Sequence, residues 1–175
     1  MKPTGTLIHR DGGAELELKR RFDAPVTTVW EAITESDRLS AYIGHWSGDP
    51  ASGVVTFQMN AEGEVPPEHY HILEVHPPRK LVVQLGESPD DIQPVGDDDI
   101  PHQPWIVELN LIEADGRTTL ALRQQIENPD MAPEIAVGWE YYLDRMVAAE
   151  HGESAEEISF EPYEAMAPAY RDLLN

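Results

Sequence analysis

Residues 131–151 read MAPEIAVGWEYYLDRMVAAEH. Ile135, Gly138/Trp139, Tyr142/Leu143 and Met146/Val147 recur at i, i+3 and i+4, the spacing of a helix with one broad apolar face. Asp130 offers an N-cap, Pro133 falls in the first turn where its missing N–H costs nothing, and Gly152 supplies a stop. At 1.5 Å per residue the helix spans roughly 30 Å, enough to cross a small sheet from edge to edge. Such a helix needs an apolar surface to lie on.

The chain before it supplies strands. Glu15–Phe22 alternates, with Leu16, Leu18 and Phe22 on one face and Glu15, Glu17, Lys19 and Arg21 on the other. Arg20 falls on the apolar parity, so its charge either snorkels to the rim of the sheet or enters a cavity. Residues 1–14 read as a loose lead-in with a turn at Asp11-Gly12-Gly13. Asp23-Ala24-Pro25 opens a helix with an inner stripe of Val26, Val29, Trp30 and Ile33, and Ser36 caps a second short helix that Gly44 stops. Strands are then predicted at His45–Asp49, Val54–Asn60, Glu68–Val75, Lys80–Glu87, Trp105–Ala114 and Arg117–Glu127. They are joined by tight turns at Pro50–Gly53, Glu62–Glu64, Pro77–Arg79 and Asp115-Gly116, so they run antiparallel. Ser88–Pro104 carries four prolines and five aspartates without periodicity and reads as a long loop, either a lid or an insertion. After Gly152, a polar stretch leads to a short helical pair broken by Pro168. Phe160, Tyr163, Tyr170 and Leu173 could fasten this pair to the body or to a second copy of the chain, which leaves a homodimer open.

Bulk properties narrow the function classes. A 175-residue chain can bury on the order of 70% of its unfolded surface in one domain, and with no cysteine it folds without disulfides. The absence of a signal-like or membrane-spanning apolar run points to a cytoplasmic protein. Thirty-three acidic against twelve basic residues give a net charge of −21, which argues against nucleic acid and anionic membranes as partners. That charge serves solubility or docks a basic partner.

Three motifs resemble a known family. Phe22-Asp23-Ala24-Pro25 with Val29–Thr34 (VWEAIT), Glu74–Leu81 (EVHPPRKL), and Gly138–Leu143 (GWEYYL) are similar to motifs of the SRPBCC superfamily (START / Bet v 1-like). Within it they resemble the branch homologous to the activator of heat shock protein 90 ATPase. The resemblance implies an α+β helix-grip domain over residues 15–151, with 1–14 a lead-in and 152–175 an extension. In that fold a curved antiparallel sheet wraps the long helix and leaves a cavity between them.

The resemblance implies a small apolar or amphipathic ligand. The expected cavity wall comprises Trp46, Phe57, Met59, His71, Trp105, Val107, Leu109, Trp139, Tyr142 and Met146, with Arg20 and Arg123 as polar members. The same side chains can instead meet and fill the space. A chaperone partner and a cyclase/aromatase-type enzyme using Arg20, His71, Arg123 or Tyr142 are the alternatives. His69 and His71 share a sheet face but lack a third ligand at any required spacing, so no metal or other cofactor is expected.

Overall fold

A computed structural model describes residues 1–60, 65–86 and 105–174. The elements are β1 (Thr6–Arg10), β2 (Gly13–Phe22), α1 (Val26–Thr34), α2 (Ser36–Leu39), β3 (Gly44–Ser47), β4 (Val54–Met59), β5 (Glu68–His76), β6 (Lys80–Leu85), β7 (Trp105–Ala114), β8 (Arg117–Ile126), α3 (Ala132–Glu150), α4 (Glu161–Glu164) and α5 (Ala167–Leu173). The strands form one antiparallel sheet in the order β1-β2-β8-β7-β6-β5-β4-β3, with α3 against one face. This is the helix-grip arrangement. The expected loop 88–104, the turn at 62–64 and the end of the β6 strand at Glu87 lie outside the described residues.

Strand parity defines the inner face. Leu16 and Leu18 of β2 stand opposite Gln124 and Leu122 of β8, which in turn oppose Val107 and Leu109 of β7. The row continues through Val83 and Leu81 of β6. Leu16, Leu18, Leu111, Leu120 and Leu122 meet Ile135, Ala136, Leu143 and Met146 of α3, and Val29 and Ile33 of α1, in one core. Each fully buried aliphatic side chain contributes roughly 1.5–3 kcal/mol. The Asp115-Gly116 turn between β7 and β8 has positive φ at both residues (53° and 72°), the two-residue hairpin geometry that requires such a pair.

Four expectations are corrected. The lead-in contains a strand: β1 pairs with β2 over Thr6–Arg10, but only Leu7 of its five residues is buried, so an exposed edge left no alternation to read. Asp130 does not cap α3. Asn128 caps a preceding 3₁₀ turn, Pro129–Met131, by accepting from the Asp130 N–H at 3.1 Å, and α3 grows directly out of that turn. Trp30 packs against the core only partly buried, and the buried surface of α1 extends round to Ala32. Pro168 does not separate the two short helices; it lies in the first turn of α5, where its ring is tolerated. The α3 terminus is as expected: Gly152 takes φ 77°, with its N–H on Ala149 O and that of Glu153 on Ala148 O, the paired bonds of a Schellman stop.

The C-terminal extension is part of the same body. Ala155, Tyr163, Met166 and Tyr170 are buried in the core cluster, whereas Phe160 and Leu173 remain exposed.

Candidate functional site

The sheet is much wider than the helix laid on it. Eight strands at about 4.8 Å spacing span roughly 34 Å, against a helix about 10 Å across. α3 sits at the β2 side. The inner-face residues further along, Val83, Leu85 and Leu109, are only partly buried, as is Trp139 on the facing side of α3. Trp105 at the start of β7 is 39% exposed.

The expected wall residues therefore divide. Val107 and Met146 are locked in the core and fill space. Phe57 is buried and stacks on Tyr70 at 4.5 Å with the rings nearly parallel, while Tyr142 is buried edge-on to Tyr141. Trp46 and Met59 lie on the inner parity of β3 and β4 and are half-buried. Trp46 also braces the α1–α2 junction: its Nε1 donates to Thr34 O at 2.9 Å and its backbone N–H to Ser36 Oγ at 2.8 Å. Gly44 is fixed by a close approach in this corner, since a Cβ there would lie 2.3 Å from Gln58 O and 2.6 Å from Phe57 Cε1.

Two expected residues face the other way. Tyr70 and Ile72 take the inner parity of β5, opposite Leu85 and Val83, so the intervening His71 points from the outer face beside Gln84. Arg123 likewise alternates against Leu122 and Gln124. It lies on the outer face, 2.6 Å from Glu17 and 3.9 Å from Glu108. Those acceptors hold its guanidinium above its ordinary pKa.

Arg20 stays inside but is fully engaged. Its Nη2 meets Glu140 Oε2 at 2.5 Å, its Nε meets Asp144 Oδ1 at 2.7 Å, and its Nη1 donates to Thr4 Oγ1 and Lys19 O. Glu140 also accepts from Thr4 N, Thr4 Oγ1 and the Tyr170 hydroxyl, and Tyr163 donates to Asp144 Oδ2 at 2.8 Å. Burial pushes the Glu140 carboxyl up, but the donors from Tyr170, Thr4 and Arg20 outweigh it and hold the carboxyl below its ordinary value. The Tyr170 and Tyr163 hydroxyls are pushed well above theirs, by burial first and then by the carboxylates they serve. This cluster joins the N-terminus, β2, α3 and the extension. Arg20 on the inner face and His71 and Arg123 on the outer face do not converge on one point. Among the described residues no group of His, Cys, Asp or Glu has metal-holding geometry.

One polar inner-face residue escaped the sequence reading. Gln124, 2% exposed, accepts from Trp139 Nε1 at 2.7 Å through its carbonyl oxygen. Its Nε2 amine has no acceptor among the described residues. The signal was there: Gln124 interrupts the apolar alternation Leu120, Leu122, Ile126.

Residues 23–150 match the family described as Activator of Hsp90 ATPase homolog 1-like protein. The chain belongs to that family. Among solved structures it is similar to CalU16 from Micromonospora echinospora, at 24% identity and TM-score 0.73, covering 99% of this chain and 98% of that one. It is also similar to a conserved protein of unknown function, EF2215, from Enterococcus faecalis, at 18% identity and TM-score 0.69, covering 98% and 92%. A third is DynU16, a protein of the dynemicin biosynthetic locus, at 20% identity and TM-score 0.62, covering 81% of this chain and 49% of that one. At these identities the likeness is one of fold. No curated protein matches. Among the described residues no helix is long and apolar enough to cross a membrane.

Proposed function

We propose that this member of the Activator of Hsp90 ATPase homolog 1-like family binds a small, flat, apolar or amphipathic molecule between the inner face of the sheet and α3. The observation that carries the reading is the incomplete burial of Val83, Leu85 and Leu109 on the inner parity of the sheet, and of Trp139 on α3, where they pack against the core. Apolar side chains left uncovered on an inward surface gain from a guest. Each 100 Å² of apolar ligand surface removed from water contributes roughly 2.5 kcal/mol. Gln124 gives the guest a direction. With its oxygen held by Trp139, its amide NH2 is left to donate to a ligand carbonyl or hydroxyl. The occurrence of DynU16 in a biosynthetic locus is in keeping with a small organic ligand.

Fluorenone and fluorene test this, since they share a flat apolar frame and only the first carries a carbonyl acceptor. Both should quench the tryptophan fluorescence of the full chain saturably. Gln124→Leu should weaken fluorenone about five- to tenfold, the worth of one hydrogen bond, and leave fluorene unchanged. Absence of saturable quenching by either compound would overturn the reading.

A further inference from the structure

Between α3, the end of β4 and the segments around Ser40 and Glu156 lies a cleft of about 270 Å³ lined by Ser40, Ala41, Asn60, Tyr141, Arg145, Glu156 and Ile158. At 3.6 residues per turn, Tyr141 and Arg145 lie about 100–160° around the helix from Trp139 and Met146, so the cleft is on a different face of α3 from theirs. Arg145 is only 6% exposed. Its Nε donates to Tyr42 O at 2.8 Å, and its Nη1 to Ala155 O at 2.7 Å and to the Tyr141 oxygen at 3.1 Å. All three acceptors are uncharged.

That is unusual in this chain. Its cations pair with carboxylates, as Arg20, Arg38 and Arg123 do, or are exposed, as Lys2, Arg21 and Arg79 are. Among the described residues Arg145 is the one buried cation without a carboxylate, although acidic residues outnumber basic ones 33 to 12. A buried guanidinium without a counter-charge is held at a cost that an incoming anion removes. Two donors are open to such an anion: the Arg145 Nη2 amine and the Tyr141 hydroxyl hydrogen, neither of which has an acceptor among the described residues.

We propose that this cleft binds a small organic monocarboxylate. Its carboxylate accepts from Arg145 Nη2 and the Tyr141 hydroxyl, and a short apolar stem lies against Ala41, Ile158 and the Tyr141 ring. Glu156 lines the same cleft, and the chain carries −21 overall, so a phosphate dianion meets about twice the repulsion that a singly charged carboxylate does. The volume lies just under the roughly 300–1,000 Å³ of drug-sized pockets, which keeps the guest small.

Benzoate, benzamide and inorganic phosphate are the probes, titrated into the full ¹⁵N-labelled chain while the Arg145 side-chain Nε–H resonance is followed. Truncating Arg145 would also break its bonds to Tyr42 and Ala155, so the variants are Tyr141→Phe, which removes one donor to the ligand and one acceptor for Arg145 Nη1, and Ala41→Trp, which fills the cleft from its exposed wall. Benzoate should shift the Arg145 resonance saturably, with Tyr141→Phe about five- to tenfold weaker and Ala41→Trp abolishing the shift. Benzamide or phosphate binding as tightly as benzoate would overturn the proposal. So would an unmoved Arg145 resonance, or an Ala41→Trp variant that melts like the parent and binds benzoate unchanged.

Discussion

Replacing Arg20 with Met tests the joint on which the architecture turns. The substitution keeps much of the side-chain volume and removes the one cation that, among the described residues, pairs with Glu140 and Asp144. The two carboxylates are not equally affected. The Asp144 side chain is 32% exposed and can take up water, whereas that of Glu140 is 1% exposed and cannot. Glu140 would keep its donors from Thr4 and Tyr170 but lose its counter-charge. Breaking a buried pair from one side costs about 3–5 kcal/mol. For a domain of this size that corresponds to a fall in melting temperature of roughly 6–20 °C. Urea unfolding followed by tryptophan fluorescence measures it, and a second substitution locates the effect. Adding Glu140→Gln to Arg20→Met removes the stranded charge and should recover at least about 1 kcal/mol.

The pH dependence carries a defined sign. A carboxyl whose native pKa is depressed stabilises the fold above its ordinary pKa of about 4.3, and that stability drains away as pH falls through the lower native value. In Arg20→Met the stranded carboxylate gains by taking up a proton, so the gap between variant and parent should narrow as pH drops from 6 to 4. A variant within 1 kcal/mol of the parent at pH 7, or a gap independent of pH, would refute the reasoning.

Other outcomes follow from the same packing. Tyr170→Phe removes a donor to Glu140 and an acceptor for the Gly5 N–H, and should cost about 1–3 kcal/mol in the same urea titration. Ending the chain at His151 strips Tyr163, Met166 and Tyr170 from the core; at roughly 1.5–3 kcal/mol each the loss approaches the whole stability of a domain, so circular dichroism should show no cooperative melt. Gly44→Ala drives a methyl into Phe57 and the Gln58 carbonyl and should lower stability by about 1–3 kcal/mol, read by thermal melting. Trp139→Ala gives up a half-buried ring and its bond to Gln124, so its cost should fall near 2–3 kcal/mol, below the ~3–5 kcal/mol of a fully buried aromatic.

Much of the fold was legible because period-2 and period-3.6 patterns are long and clean here. Trp105–Ala114 and Arg117–Ile126 appear within a residue of their predicted bounds, joined by the turn that Asp115-Gly116 specifies. β1 was illegible for a physical reason: an edge strand with one buried side chain has no pattern, and only pairing with β2 makes it a strand.

The site was readable in part. Tyr70 and Ile72 alternate with His69 and His71, and Leu120 and Leu122 with Arg123, so parity alone already turned His71 and Arg123 outward. The partners of Arg20 could not be read, because Thr4, Glu140, Asp144, Tyr163 and Tyr170 come together only through tertiary folding. Arg145 gave no sign at all. It occupies the polar side of α3, where a solvated charge is ordinary, and it is buried only because Tyr42 and Ala155 close over it.

Methyl-labelled leucine and valine NMR of the full chain with fluorene tests the proposed binding gap most directly. A guest between sheet and helix should shift Val83, Leu85 and Leu109 saturably while leaving Leu16, Leu18 and Leu122 unmoved. Shifts confined to the exposed Leu73 and Val75, or no saturable shift at any methyl, would contradict it.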